Sequence, residues 1–200
     1  MKSPTKIGIT KMYRDIAENI GIKNYDIINP YNNKLKENYD LMIISKGYEK
    51  KVKRLNPYPI FEIISATFDD LIESINKLNK LNIGTPEKIK SYSEKINEKK
   101  EYIKSIKYNR EIYVNPKCEF IKKIVVDLGI PISDRGIPII PDYMTNKYNN
   151  CKNGINEINN IYNNYNNGLK LVLKTHKYEL NTLKRIEDRY LSVINFINSL

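Results

Sequence analysis

The sequence predicts an α/β protein built on a parallel, Rossmann-like sheet, with two long helices packed together. Three observations lead there. Short β-branched runs alternate with amphipathic stretches of helical period through the first half of the chain. A strand, a polar break, an amphipathic helix and Gly-Ile fill 6–22 (KIGITKMYRDIAENIGI), and the same order recurs at 111–130 (EIYVNPKCEFIKKIVVDLGI). Two further stretches, 86–107 and 169–198, hold apolar residues at the 3–4 spacing of long helices.

The first strand is read at 7–10. Met12, Tyr13, Ile16, Ala17 and Ile20 then fall on one helical face, and Gly21 stops the helix. YDIIN (25–29) and YDLMIIS (39–45) read as two buried strands, and IFEIIS (60–65) as a fourth. The next helix has Ser65 or Thr67 as cap, with Asp69 and Asp70 in its first turn, where carboxylates favour the dipole. Capping accounts for that acidic pair without a catalytic role. At NIGTPEK (82–88), Thr85 caps and Pro86 opens a charged helix with the stripe Ile89, Tyr92, Ile96, Ile103 and Ile106. In the second βα unit Phe120, Ile121, Ile124, Val125 and Leu128 form the core face, each 108 residues after its counterpart in the first. GIPIIPDYM (136–144) carries prolines that suit an edge strand or loop. Eleven of the 24 residues in 145–168 are Asn, the composition of a linker. A last helix follows over 169–198, with Leu169, Val172, His176, Leu180, Leu183, Ile186, Tyr190, Val193 and Ile197 on its apolar stripe. The organisation is thus an N-terminal α/β lobe (1–84), a bridging helix (85–110), a second βα unit (111–144), the Asn-rich linker and a C-terminal helix (169–200).

Two hundred residues form a core without a disulfide or metal staple. Two cysteines, Cys118 and Cys151, with no paired spacing, fit a reducing compartment, and no run of about 18 apolar residues marks a membrane span. The expected location is the cytoplasm. The net charge of +11 raises nucleic acid as a partner, but Lys outnumbers Arg 28 to 6. Guanidinium forks are the usual choice for phosphate and base recognition, and an AT-rich genome enriches Lys, Ile, Asn and Tyr by codon usage alone. The basic stretch KGYEKKVKR (46–54) would carry a nucleic-acid function, with the lysines of the 86–107 helix.

Glycine-rich phosphate loops of the two familiar kinds are missing, and a lone histidine excludes a multi-histidine metal site. Topology therefore points to the site. In open α/β sheets ligands meet the carboxyl ends of strands near a switch in strand order. Those ends supply Thr10, Lys11, Asn29, Ser45, Lys46, Gly47, Asn115 and Cys118. Asp134 and Arg135 join them if ISDRG (132–136) is the counterpart of ISKG (44–47). The set suits a small anionic molecule, and Cys118, at the start of a helix, is the candidate reactive residue. A ligand-binding protein, acting in an assembly or maturation step, is the first functional expectation. A nucleic-acid-binding protein and a structural module that pairs with a second copy or another protein through its long helices are the alternatives. No cofactor or catalytic pair is specified.

Overall fold

The computed structural model describes residues 6–109, 111–145 and 169–200. The Asn-rich stretch beyond Thr145 and its Cys151 lie outside them. Two compact units make up the chain: Met1–Lys100 with Tyr178–Lys184, and Glu101–Lys177 with Arg185–Leu200.

Unit 1 holds a four-stranded parallel sheet, order β2-β1-β3-β4, from Ile7–Thr10, Tyr25–Ile28, Leu41–Ser45 and Ile60–Ile63. Every residue of β1 is buried, as expected of a strand covered on both faces. β2 is an edge strand: Asp26 and Ile27, on opposite faces, are both exposed and only Ile28 is buried, in place of the fully buried strand expected from YDIIN. After a single 3-10 turn, α1 (Arg14–Ile20) buries Ile16, Ala17 and Ile20 and ends at Gly21 with φ 79°. The sheet's other face is covered by Ile28, Tyr39, Met42, Ile44 and Val52, the last from α2 (Glu49–Leu55). Asn56, 1% exposed, pins the loop between β2 and β3 by donating to the carbonyls of Pro30 and Asn33 and accepting from Leu35 N–H. α3 (Phe68–Lys80) starts in a capping box: Thr67 Oγ1 accepts from Asp70 N–H and the Asp70 carboxylate accepts from Thr67 N–H. Asp69 takes Lys100 of α4 (Pro86–Ser105). Thr182 of the returning segment donates twice to Asp15 of α1.

Unit 2 repeats this connectivity in shorter form. β5 (Val114–Pro116) leads through Cys118 into α5 (Glu119–Asp127), which buries Ile121, Ile124 and Val125 and is followed by Gly129 at φ 69°. The chain then touches β5 in parallel through an Ile132–Val114 bridge, the position β2 takes beside β1. β6 (Ile137–Pro141) lies on the far side of β5, as β3 does of β1, and β7 (Leu171–Leu173) adds outside it, giving the order β5-β6-β7. α6 (Thr182–Asn198) closes the chain, its Tyr190 hydroxyl donating to Asp127.

Two expectations change here. The proline-bearing segment is a central strand. Ile137 N–H points to β5, so by alternation Pro138 would point its missing donor toward β7, whose ladder begins only at Ile139; Pro141 faces β5 beyond that strand's end. Neither proline therefore breaks a ladder bond. The last helix starts at Thr182, since Leu171–Leu173 gains a parallel neighbour in β6 and His176 falls in the loop that follows. The stripes of the two long helices are covered within the chain: Ile89, Tyr92, Ile96, Ile103, Leu183, Ile186, Tyr190 and Val193 are all buried. Each such side chain gains about 1.5–3 kcal/mol from burial.

Candidate functional site

In unit 1 the chain order reverses between β1 and β3, so their carboxyl ends flank the switch point. Thr10 and Ser45 stand there, with Lys11 and Asn29 exposed nearby in sequence. Thr10 is 3% exposed and shares the sheet face of Gly8, whose position is pressed against Ile28 and Tyr39. Its Oγ1 makes no hydrogen bond among the described residues. Ser45 is engaged by Tyr31, whose hydroxyl accepts from Ser45 N–H at 3.3 Å. The Tyr13 and Ser65 hydroxyls meet at 3.3 Å.

Lys46 and Gly47, expected to hold a ligand, are held by the chain itself. Glu62 Oε1 accepts from the N–H groups of Gly47 (2.8 Å), Tyr48 (3.1 Å) and Glu49 (3.0 Å), and Oε2 pairs with Lys46 Nζ at 2.9 Å. Gly47 reaches this geometry at φ 92°, a backbone region that favours glycine. Burial pushes the Glu62 pKa up, but Lys46 and the backbone donors outweigh it and hold the group below its usual value. An internal carboxylate occupies the position the sequence reading gave to an anion. Two grooves of unit 1 lie away from these strand ends. One, at the amino ends of β1 and β2, is lined by Lys6, Lys23, Asp26 and Glu37, and its Lys6 already pairs with Glu37. Another runs between α1 and α4, past Glu18, Lys88, Tyr92 and Glu98.

Unit 2 divides its predicted residues. Asn115, 8% exposed, donates to the Asp134 carbonyl at 2.7 Å and so fastens the turn that holds Asp134 and Arg135. That turn precedes β6. It closes with Gly136 N–H donating to the Ser133 carbonyl, and a Cβ on Gly136 would stand 2.6 Å from the Val114 carbonyl carbon. The exposed Asp134 and Arg135 are thus separated from the carboxyl end of β6, and the counterpart of ISKG is Ile140 to Tyr143. Cys118 is half-buried at the N-cap of α5 and makes no side-chain cap bond.

The groups that do gather at the strand ends are Asp142 after β6, Thr175 and His176 after β7, and Arg185 and Arg189 from α6. Asp142 Oδ1 accepts from Thr175 Oγ1 (2.7 Å), Thr175 N–H (3.2 Å) and Tyr143 N–H (3.1 Å). Thr175 Oγ1 also lies 2.8 Å from His176 Nδ1. Its one proton goes to the carboxylate, so Nδ1 carries a proton and donates, and Nε2 is the acceptor of the ring. Arg189 Nη2 donates to the Thr175 carbonyl at 2.8 Å, and its guanidinium lies 4.8 Å from the centre of the Phe120 ring. Arg185 and Arg189 are only 3% and 5% exposed. Burial raises the Asp142 pKa, but the Thr175 and Tyr143 donors and the nearby imidazole bring it below the ordinary carboxylate value. His176 is exposed at its surface, yet desolvation by its neighbours comes first and the Arg189 charge second in lowering its pKa, against the pull of Asp142.

On the sequence alone His176 falls on a helical stripe and Asp142 inside the proline-bearing run, so nothing joins them. The signal was present: LVLKTH at 171–176 has the form of a strand and its carboxyl end.

The solved structures share this α/β fold. The chain resembles an ABC transporter substrate-binding protein from Listeria monocytogenes (TM-score 0.64, 11% identity, 100% of each chain). It also resembles a possible iron-binding, periplasmic solute-binding protein from Staphylococcus epidermidis (0.62, 12%, 96% of this chain and 99% of that one). The vitamin B12 binding protein BtuF of Vibrio cholerae matches at 0.56 and 11%, over 97% of this chain and 96% of that one. At these identities the likeness is one of fold. In sequence, the MJ0786 family N-terminal domain matches residues 8–100 and the MJ0786 family C-terminal domain residues 111–200. A Methanocaldococcus jannaschii relative, described as uncharacterized protein MJ0786, is 48% identical over 98% of this chain and 96% of its own length. The chain belongs to the MJ0786 family.

Proposed function

We propose that the protein binds a small anionic ligand at the carboxyl ends of β5, β6 and β7. The observation that carries this reading is the pair of buried guanidiniums, Arg185 and Arg189, beside Thr175 and His176. An arginine fork suits carboxylates and phosphates. The fold-level neighbours, named for solutes that include vitamin B12, support ligand binding as the general task. Among the described residues no group of three or more His, Cys, Asp or Glu is placed to hold a metal ion, so the reading rests on charge and hydrogen bonding. No described helix is long and apolar enough to cross a membrane.

Calorimetric titration with phosphate, sulfate, malate and succinate tests the reading. At least one should bind, and Arg189→Met, which keeps the aliphatic packing, should weaken it about tenfold or more. Arg189→Lys should recover part of the loss. Absence of binding by all four, or unchanged binding in folded Arg189→Met, would overturn the proposal.

A further inference from the structure

In unit 1, residues 30–56 hold seven cations against three acids, Glu37, Asp40 and Glu49. The acids are already engaged. Glu37 pairs with Lys6, Asp40 accepts from Lys6 N–H, and Glu49 pairs with Lys53. Lys46 is closed by Glu62. Lys34, Lys36, Lys50, Lys51 and Arg54 remain, all exposed and in no ion pair among the described residues.

The fold gathers these five. Asn56, the C-cap of α2, fastens the 30–35 loop through Pro30, Asn33 and Leu35, and Lys51 Nζ donates to Asn32 Oδ1 at 3.0 Å. Val52 of α2 is buried, so Lys50 and Arg54, at i and i+4, project from the opposite side of the helix. Lys51 lies on the loop side with Tyr48 and Leu55, which are 43% and 37% exposed. The Tyr48 ring meets Tyr31 edge to face, with centroids 5.0 Å apart. A place in the last turn of α2 gives Arg54 the helix dipole as a partner, but it does nothing for Lys34, Lys36 or Lys50. Like charges at i and i+4 repel.

We propose that this face of unit 1 binds single-stranded nucleic acid without regard to sequence. A small anion over an exposed lysine is screened by salt and gains little. A chain of phosphates meets several cations at once and releases counterions from each contact. Four of the five cations are lysines, point charges that hold phosphates and do not fork onto base edges. Tyr48 offers an exposed ring on which an unpaired base stacks, a contact that a duplex and an acidic peptide both lack. The surface differs from the one the sequence suggested. Lys46 drops out, and in α4 four glutamates alternate with the lysines, of which Lys100 and Lys104 are in ion pairs. The 30–36 loop takes their place.

Fluorescence anisotropy of the wild-type chain with labelled oligo(dT) of about 12 nucleotides, against a labelled polyglutamate of matching charge, tests the assignment. Oligo(dT) should bind about tenfold tighter than polyglutamate, and its log affinity should fall with log[salt] at a slope of about −3, roughly 0.7 per phosphate contact. Lys50→Glu with Arg54→Glu should lower the affinity about tenfold or more, and the milder Lys50→Gln with Arg54→Gln should make the slope shallower by about 1.4. Lys77→Glu with Lys80→Glu makes the same change in net charge on α3 and should leave binding within about threefold. Tyr48→Ala should weaken binding about fivefold and leave the slope unchanged. An equal loss from the α3 pair would reduce the effect to net charge and overturn the surface. Polyglutamate binding as tightly as oligo(dT), or Tyr48→Ala without effect, would overturn the nucleic-acid assignment. No binding of oligo(dT) at about 0.1 M salt would overturn the proposal entirely. The wild-type comparison decides even if a variant does not fold.

Discussion

Glu62 in unit 1 and Asp142 in unit 2 solve the same local problem and end in opposite states. Each brings a carboxylate to the region of the strand ends, and in each one oxygen gathers three donors. In Glu62 the second oxygen is taken by Lys46, whereas in Asp142 the second oxygen takes no hydrogen bond from the described residues. The first carboxylate completes a turn and the start of α2. The second is held rigid with bonding capacity to spare, beside two buried arginines. A carboxylate saturated by its own chain is architecture, whereas Asp142 keeps an oxygen that can still accept a hydrogen bond.

The largest effect expected from this contrast is on stability. Glu62→Ala strips the acceptor from three N–H groups and leaves Lys46 unpaired, so it should cost about 2 kcal/mol by urea unfolding. Anion binding should not change. A loss of binding in Glu62→Ala would erase the contrast. Arg189→Met reverses the pattern: affinity falls about tenfold or more, near 1.4 kcal/mol, while the melting temperature moves little. Gly47→Ala probes the same turn more gently. The added Cβ meets nothing within 4 Å, so the cost is the backbone's alone at φ 92°, about 1 kcal/mol in stability.

The smallest effect is on pH dependence. The folded pKa of His176 lies below its ordinary value of 6.5, and that of Asp142 below its ordinary 3.8. Protonation therefore favours the unfolded chain at both groups. The His176 contribution is fully present above 6.5 and fades as pH falls through its lower folded value; that of Asp142 follows at more acid pH. Melting temperature should drop on acidification below pH 6.5, and His176→Asn should flatten the first part of that slope. An unchanged slope would show that the imidazole is not held neutral by its surroundings.

Much of the fold was legible because it is written locally. The faces Ile16, Ala17, Ile20 and Ile121, Ile124, Val125 are buried as their spacing requires, and Gly21 and Gly129 take the left-handed backbone that ends a helix. The Thr67 and Asp70 capping box spans three residues and can be read directly. What escaped was set by partners distant in sequence. Lys46 and Gly47 looked available because Glu62, which holds both, is 15 residues or more away. Leu171 to Leu173 fits a helical stripe as well as a strand, and only β6 beside it decides between them. Reading that stretch as helix carried His176 onto an apolar face and hid its link to Asp142 through Thr175. Pro138 and Pro141 argued for an edge strand because the sequence cannot say where the neighbouring ladders begin and end.

The most direct test is chemical-shift mapping of the labelled protein during titration with hydrogen phosphate or malate. The largest shifts should fall on unit 2, at the Lys117, Tyr143, Thr175 and His176 amides and the Arg189 side chain, and the 45–49 turn of unit 1 should stay in place. Perturbations centred on Lys46, Gly47 and Tyr48, with unit 2 unmoved, would contradict the account, since they would mean that a ligand displaces Glu62 and that the closed carboxylate is the functional one.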